Sequence, residues 1–279
     1  MDAAEPASVA SIHIYPVKAT RAVDLAAAQV EPWGLAGDRR WLVTEPGGQF
    51  VSQRTAPALA RVSAHYAPAG SLSLSADGQP ALTVPAPAED RGAEMLWVSV
   101  WRSKVRAAAA GGQADAWFSR YLGRPARLVH LDDPTRRQVD PEFGAPDDRV
   151  SFADGYPLLL TTRGSLHALG QWLTRDGHPA VPMNRFRPSV VLAGTAPWAE
   201  DGWRLIQIGP VTFRVAKPCG RCQVTTIDQH TGERGREPLA MLGRRRRFGQ
   251  QLVFGQNLIP DGTGTIRVGD PVRILAAET

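Results

Sequence analysis

Short runs of β-branched and aromatic residues, each ended within a few positions by glycine or proline, recur along nearly the whole chain. They leave room for little but a fold made of strands. In the first half the runs fall at residues 9–15, 40–44, 72–75, 95–100 and 126–130. In the second half they fall at residues 189–192, 205–208, 211–216, 223–227, 252–254, 265–268 and 271–275. With 27 glycines and 23 prolines, the chain has turn formers enough for so many reversals. Ile208-Gly-Pro-Val211 and Val268-Gly-Asp-Pro-Val272 read as tight connections between strands. Only two segments have helical spacing. Residues 114–122 present Ala116, Trp117, Tyr121 and Leu122 together, and residues 162–172 present Leu166, Leu169, Gly170 and Leu173 on one face, with Thr161 or Thr162 as the N-cap. The predicted class is mainly β (α+β), a barrel or sandwich with helices added outside. Residues 132–148 are rich in Asp, Pro and Arg, include Gly144, and have no periodicity. They read as a linker between an N-terminal β module (residues 8–130) and a C-terminal one (residues 131–277).

Two cysteines exclude a disulfide scaffold and fit a reducing compartment. The opening Met1-Asp-Ala-Ala-Glu-Pro lacks the basic and apolar regions of a secretory signal, and no apolar stretch approaches bilayer length. A cytoplasmic protein without membrane contact is expected. The net charge is +5. Lys18, Lys104 and Lys217 are the only lysines, so nearly all the positive charge is arginine. A GC-rich codon bias accounts for such an excess. Where arginine acts chemically, it grips anions in a bidentate way that lysine cannot match. Arg244 to Arg247 form a run of four, read either as a solvated loop or as a docking patch for an acidic partner or a phosphate. The basic charge alone would suit nucleic acid. The chain has no basic stripe with interleaved aromatics and no binding motif, so no nucleic-acid partner is expected.

Both cysteines sit in Lys217-Pro-Cys-Gly-Arg-Cys-Gln-Val-Thr-Thr-Ile-Asp228. Four readings of the Cys219/Cys222 pair are open. A structural zinc site needs a second pair of ligands, and the six histidines are scattered. A thioredoxin-like pair should open a helix, whereas residues 223–227 read as a strand. The pair can be two inert thiols. Or one thiolate, flanked by Lys217 and Arg221, binds a soft-tolerant metal that brings its other ligands with it.

The segment Pro218-Cys-Gly-Arg-Cys-Gln-Val-Thr-Thr-Ile-Asp-Gln-His-Thr-Gly232 resembles the signature of the MOSC domain family, the molybdenum-cofactor sulfurase C-terminal type. Met183-Asn-Arg-Phe-Arg-Pro-Ser189, Pro197-Trp-Ala-Glu-Asp-Gly-Trp203, Phe254-Gly-Gln-Asn257 and Gly264-Thr-Ile-Arg-Val-Gly-Asp-Pro-Val272 look like its other blocks, in family order. The N-terminal half is similar to the β-barrel module that precedes MOSC in the amidoxime-reducing group, through Ile14-Tyr-Pro-Val-Lys18, Gly37-Asp-Arg-Arg-Trp41 and Gly48-Gln-Phe-Val-Ser-Gln-Arg54. On this basis residues 8–130 resemble the MOSC N-terminal module and residues 131–277 the MOSC domain.

The resemblance implies a pyranopterin molybdenum cofactor. Its dithiolene supplies two sulfurs to the metal, and Cys222 supplies a third. Cys219 matches a position that the family often fills without using it as a ligand. For the cofactor's phosphate the resemblance points to Lys18, Arg39, Arg185 and Arg187, with hydroxyls from Thr162 or Ser165. Ser52, Gln53 and Arg54 are candidates to line the cleft. Asp228 is implied as a catalytic partner of Cys222, tuning the metal or relaying protons, or else it caps a turn. Asn257 is expected to fix the fold, and Trp41, Trp198 and Trp203 are expected in the core. Pyridoxal phosphate binding comes with the family resemblance alone.

The implied activity is reduction of small N-hydroxylated compounds, such as hydroxylamino bases and amidoximes, by oxygen abstraction at molybdenum. The alternative is a cofactor carrier or a sulfur-relay protein using Cys222 or Cys219. Some relatives append an iron–sulfur domain, and no further cysteine cluster occurs here. A separate ferredoxin- or flavin-type electron donor is therefore expected.

Overall fold

The computed structural model describes residues 6–278, so most of the segment read as lacking a secretory signal lies outside the described residues. The backbone of the fold is a nine-stranded sheet. Its main path runs Val272–Ala277, Trp203–Ile208, Val211–Gly220, Gln251–Pro260, Leu158–Thr162, Val190–Ala193, Ser8–Ile14 and Val23–Leu25. A short strand, Arg247–Phe248, pairs beside this path with Gln251–Pro260. Of the neighbours, only Leu158–Thr162 and Val190–Ala193 are parallel. Parallel strands need a crossover, and here it contains the helix Arg163–Arg175. Thr162 is the N-cap, accepting a hydrogen bond from Ser165 N at 3.1 Å.

The inner face of this sheet alternates as expected for a half-buried strand. Val211, Phe213 and Val215 are buried while Thr212 and Arg214 face outward. These residues pack with Ile12, Leu160, Leu192, Ile206 and Leu258 into one core. A second core lies in the N-terminal half, built on Trp41, Val43, Leu59, Leu72, Trp117 and Leu128. It is framed by a four-stranded sheet (Trp41–Thr44, Arg127–His130, Ser103–Ala109, Met95–Val100) and a three-stranded one (Ser63–Tyr66, Leu72–Ala76, Gln79–Val84). The helix Gly112–Leu122 covers it with Trp117 and Phe118.

The halves are interleaved. Ser8–Ile14 pairs with Val190–Ala193, and Ala27–Glu31 pairs with Gly264–Arg267, so the first strands complete sheets of the second half. The segment 132–148, expected as a linker, is ordered and anchored by a buried arginine. Arg137 donates to the carbonyls of Ser151, Ala153 (2.5 Å) and Asp154 (2.7 Å). That clamp fixes the chain reversal at residues 151–154.

One expected strand is a turn. Residues 223–226 form a short 3-10 helix opened by Cys222. The Thr225 and Thr226 hydroxyls donate to the carbonyls of Cys222 (3.0 Å) and Gln223 (2.8 Å), closing the backbone locally. The strand before it runs further than expected, to Gly220, with irregular register at Val215/Lys217 and Pro218/Gly220. Such bulges tolerate Pro218 and bend the strand end that carries Cys219.

Candidate cofactor-binding site

A cavity opens where the two halves meet. Lys18, Arg39 and Arg187 line it together with Cys219, Arg221 and Cys222, and Ser52, Gln53, Arg54 and Asn257 also contribute. Each cation is delivered by an awkward piece of backbone. Arg39 and Arg187 both have left-handed conformations, with φ of 48° and 55°. Ala19, next to Lys18, has φ 74°. Among the described residues five non-glycine positions have positive φ, and four of them (Ala19, Arg39, Trp101, Arg187) line this one cavity. A left-handed L-residue costs about 1–2 kcal/mol, and such strain collects at functional sites.

The strain is held by buried contacts. Gly37 (φ 79°) makes the turn before Arg39; a Cβ there would lie 2.5 Å from the Tyr66 ring. The turn buries Asp38, which accepts from Tyr15 N at 2.7 Å and pairs with Arg39. Burial pushes the Asp38 carboxyl upward, and the Arg39 guanidinium opposes it. Arg39 also donates to the carbonyl of Arg187 at 3.2 Å. Both guanidinium groups lie over the ring of Tyr15, at 4.3 and 4.2 Å from its centroid. Burial raises the Tyr15 phenol to about 12 in spite of these two cations.

Lys18 is buried, and its ammonium donates to the Phe152 carbonyl (2.8 Å) and to Asp154 Oδ1 (2.5 Å). An ammonium has three donors, so one remains. Burial brings Lys18 down to about 8, against the pull of Asp154. Arg187 donates from Nη1 to Gln229 Oε1 at 3.0 Å, while its buried Nη2 has no partner. It has no carboxylate partner among the described residues. Burial lowers it to about 10 and neighbouring Arg39 pushes the same way. An unpaired buried charge costs several kcal/mol. A donor and a spare N–H left open beside one cavity fit an anion such as a phosphate.

The sulfurs lie on the same cavity. Cys222 is exposed and Cys219 half-buried. The Arg221 guanidinium donates to Cys219 Sγ at 2.8 Å and to the Phe186 carbonyl at 2.7 Å. Asn257 donates weakly to the Lys217 carbonyl at 3.4 Å, beside the bulge. Gln53 is buried, donating to the Ala19 carbonyl (2.7 Å) and exchanging two 3.0 Å bonds with Gln229, which links it to Arg187.

Four of the residues expected at the site are not brought to this cavity. Thr162 and Ser165 face the buried Glu200 instead: Ser165 Oγ donates to Glu200 Oε1 at 2.6 Å and accepts from Trp198 N at 2.8 Å. Arg185 pairs with Asp228 at 2.9 Å. Asp228 accepts from the backbone of His230 (2.8 Å) and Thr231 (3.0 Å) as a turn cap, and the N–H groups of Thr231 and His230 hold its carboxyl below the usual range. The arginine run is divided, with Arg245 and Arg247 exposed. Arg244 pairs with Asp176, and Arg246 is buried, paired with Asp201 and stacked 4.2 Å from Trp198. Trp41 and Trp203 are buried, and Trp198 stacks on Trp172 at 5.2 Å.

Sequence reasoning missed Tyr15, Asp38, Trp101, Arg137 and Asp154. Tyr15 and Asp38 sit inside the motif blocks beside Lys18 and Arg39, which was the available signal. Arg137 and Asp154 gave none, because a clamp between loops has no periodicity.

Residues 6–125 match the MOSC N-terminal beta barrel domain and residues 147–273 match the MOSC domain. Mitochondrial amidoxime-reducing component 1 of Homo sapiens is 31% identical over 96% of this chain and 83% of its own length. The chain belongs to the MOSC family. The Mus musculus amidoxime-reducing component 1 is 33% identical over 96% of this chain and 82% of its own. Molybdenum cofactor sulfurase of Danio rerio is 30% identical over 89% of this chain, a stretch that makes up 31% of that protein. Two of these relatives are named for amidoxime reduction and one for the molybdenum cofactor. No helix among the described residues is long and apolar enough to cross a membrane.

Proposed function

We propose that this MOSC protein is a molybdenum-cofactor-dependent reductase of N-hydroxylated compounds. The observation that carries the reading is one cavity lined both by an exposed cysteine sulfur and by three buried or half-buried cations, one of them without a counter-charge. Cys222 is the metal ligand. It is exposed and sits at the start of a tight turn. Lys18, Arg39 and Arg187 hold the cofactor's phosphate. Their charge is preorganised by Asp38, Asp154 and Tyr15, so little reorganisation is needed on binding. When bound, the cofactor supplies the two-electron chemistry that splits the N–O bond; an N-hydroxylated amine takes up two electrons and two protons to give amine and water.

Electrons come from a separate donor. The face that fits an acidic donor is the groove formed by Arg54, Arg234, Arg236 and Arg247 beside Gln223, which no acidic residue lines. Arg54 and the Cys222–Gln223 turn connect it to the cofactor cavity.

The test is elemental analysis and activity on protein made in a cofactor-producing host. About one molybdenum per chain is expected, with reduction of benzamidoxime driven by a reduced viologen dye. Cys222→Ser is expected to lose both metal and activity, and full retention of both in that variant would overturn the reading. A second reading rests on the Arg221–Cys219 contact, which places a cation against a second sulfur in the same cavity. It makes the protein a cofactor carrier or sulfur relay. Metal-loaded protein that stays inert with a strong dye reductant would favour it.

A further inference from the structure

Beside the cofactor cavity lies a second, wider cleft. The two share Phe50, Ser52, Arg54, Trp101, Asp154 and Gly155. At their boundary stands Trp101, in the two-residue turn Trp101-Arg102 that joins Met95–Val100 to Ser103–Ala109. Its φ is 56°, a conformation that turns normally assign to glycine. A bulky side chain in that position is held against its backbone preference. Three contacts hold it: the indole N–H donates to Asp154 Oδ1 at 3.0 Å, the ring meets Phe50 edge-on at 5.1 Å, and the Arg54 guanidinium lies 4.3 Å from its centroid. Yet Trp101 remains 47% exposed. A large aromatic fixed by so many contacts and still open to solvent is a platform, not a core residue.

The charge around it is uneven. Arg102 and Lys104, from the same hairpin, line the cleft and have no ion-pair partner among the described residues. Of the carboxylates lining the cleft, Asp154 is taken by Lys18, Glu45 lies 3.5 Å from Arg124, and Asp140 accepts from Glu142 N. Arg136 is committed to Glu89 and Asp132, and Arg137 to backbone carbonyls.

We propose that this cleft is a substrate subsite for a planar aromatic group bearing an anionic substituent, with Trp101 as stacking platform and Arg102 and Lys104 as the anion's partners. The proposal rests on the reductase reading above: the N–O end of such a substrate reaches the cavity at Cys222 while its non-reacting end stays in the cleft. The shared chemistry is a carboxylate or a phosphate on a flat ring, and both kinds of substrate enter the test.

The experiment uses the cofactor-loaded protein with reduced viologen dye and compares neutral benzamidoxime, its para-carboxylate and its para-phosphate. In wild type, kcat/KM is expected to favour the anionic substrates by about tenfold at low salt, with the preference shrinking as salt rises. The double substitution Arg102→Glu with Lys104→Glu should lower the anionic-to-neutral ratio at least tenfold. Trp101→Gly suits the turn's backbone, so the protein should keep a Tm close to wild type while KM rises about tenfold for all three aromatic substrates. Calorimetric binding of para-carboxybenzamidine, which has no N–O bond to reduce, gives a readout independent of turnover. Its Kd should rise tenfold or more in both variants. If the enzyme reduces none of the substrates but this Kd shift is seen, the subsite stands and the reductase reading fails. If Kd and the anionic-to-neutral ratio stay within twofold of wild type in the charge-reversed protein, the subsite is overturned, whatever the activity.

Discussion

The buried ammonium of Lys18 should make the proposed anion site sensitive to alkaline pH. Burial brings this group to about 8, and it keeps one donor free after binding Phe152 O and Asp154. An anion bound beside it favours the charged form and raises its pKa. Affinity is therefore fully present below the free-state value and is lost as pH rises through about 8. A group titrating there is roughly nine-tenths protonated at about pH 7 and roughly one-tenth at about pH 9. If one protonated lysine is required, affinity falls by up to about tenfold, or about 1.4 kcal/mol. Sulfate is the suitable probe because its charge does not change in this range. The cavity has no histidine lining, and Cys219 and Cys222 are replaced by serine in cofactor-free protein so that Lys18 is tested alone. Arg39 and Arg187 stay charged, Arg187 lying near 10, and Asp154 stays ionised. Sulfate affinity is measured by titration calorimetry across this range for that protein and for the same protein carrying Lys18→Met. The lysine-containing protein should lose affinity with pH, and the methionine variant should bind weakly and without pH dependence. An equal fall in both proteins would refute the assignment of the effect to Lys18.

Other outcomes follow from the same contacts. Ser165→Ala removes the donor to buried Glu200 and the acceptor for Trp198 N, so urea unfolding should register a loss of about 2–3 kcal/mol while molybdenum content is unchanged. Asp38→Ala leaves Arg39 and Tyr15 N without their partner and should cost about 3–5 kcal/mol in the same assay and weaken sulfate binding. Arg236→Glu combined with Arg247→Glu should weaken the rate driven by an acidic ferredoxin in a salt-dependent manner and leave the dye-driven rate in place. Equal loss with both donors would count against the groove.

The parts of the fold that were legible in the sequence are those set by period and capping. The alternation at Val211, Phe213 and Val215, and Thr162 as the cap of its helix, follow from local rules that the structure keeps. The run Val224-Thr-Thr-Ile227 misled because β-branching favours a strand only when a neighbouring strand accepts it. Here two threonine hydroxyls bond back to carbonyls three residues earlier. The four arginines could not be told apart because sequence gives each the same weight, while Trp198 and Asp201 select Arg246 alone for burial. The resemblance to the MOSC family singled out Lys18, Arg39 and Arg187, which the fold brings to one cavity with Cys222. It could not separate them from Arg185 and Asp228, since adjacent positions in a tight turn point different ways. Trp101 and Asp154 escaped because their meaning depends on each other across the cleft.

The pairing of Ile12 with Val190 has a consequence for how the chain is made. The first strand leaves the ribosome with no hydrogen-bonding neighbour on that side until its mate appears about 180 residues later. At translation speeds of about 5–20 residues per second, that is a wait of roughly nine to thirty-five seconds. During this interval Val9, Ile12 and Ile14 are uncovered, and the nascent protein depends on chaperones or on its own early collapse to keep that edge from pairing with a stranger.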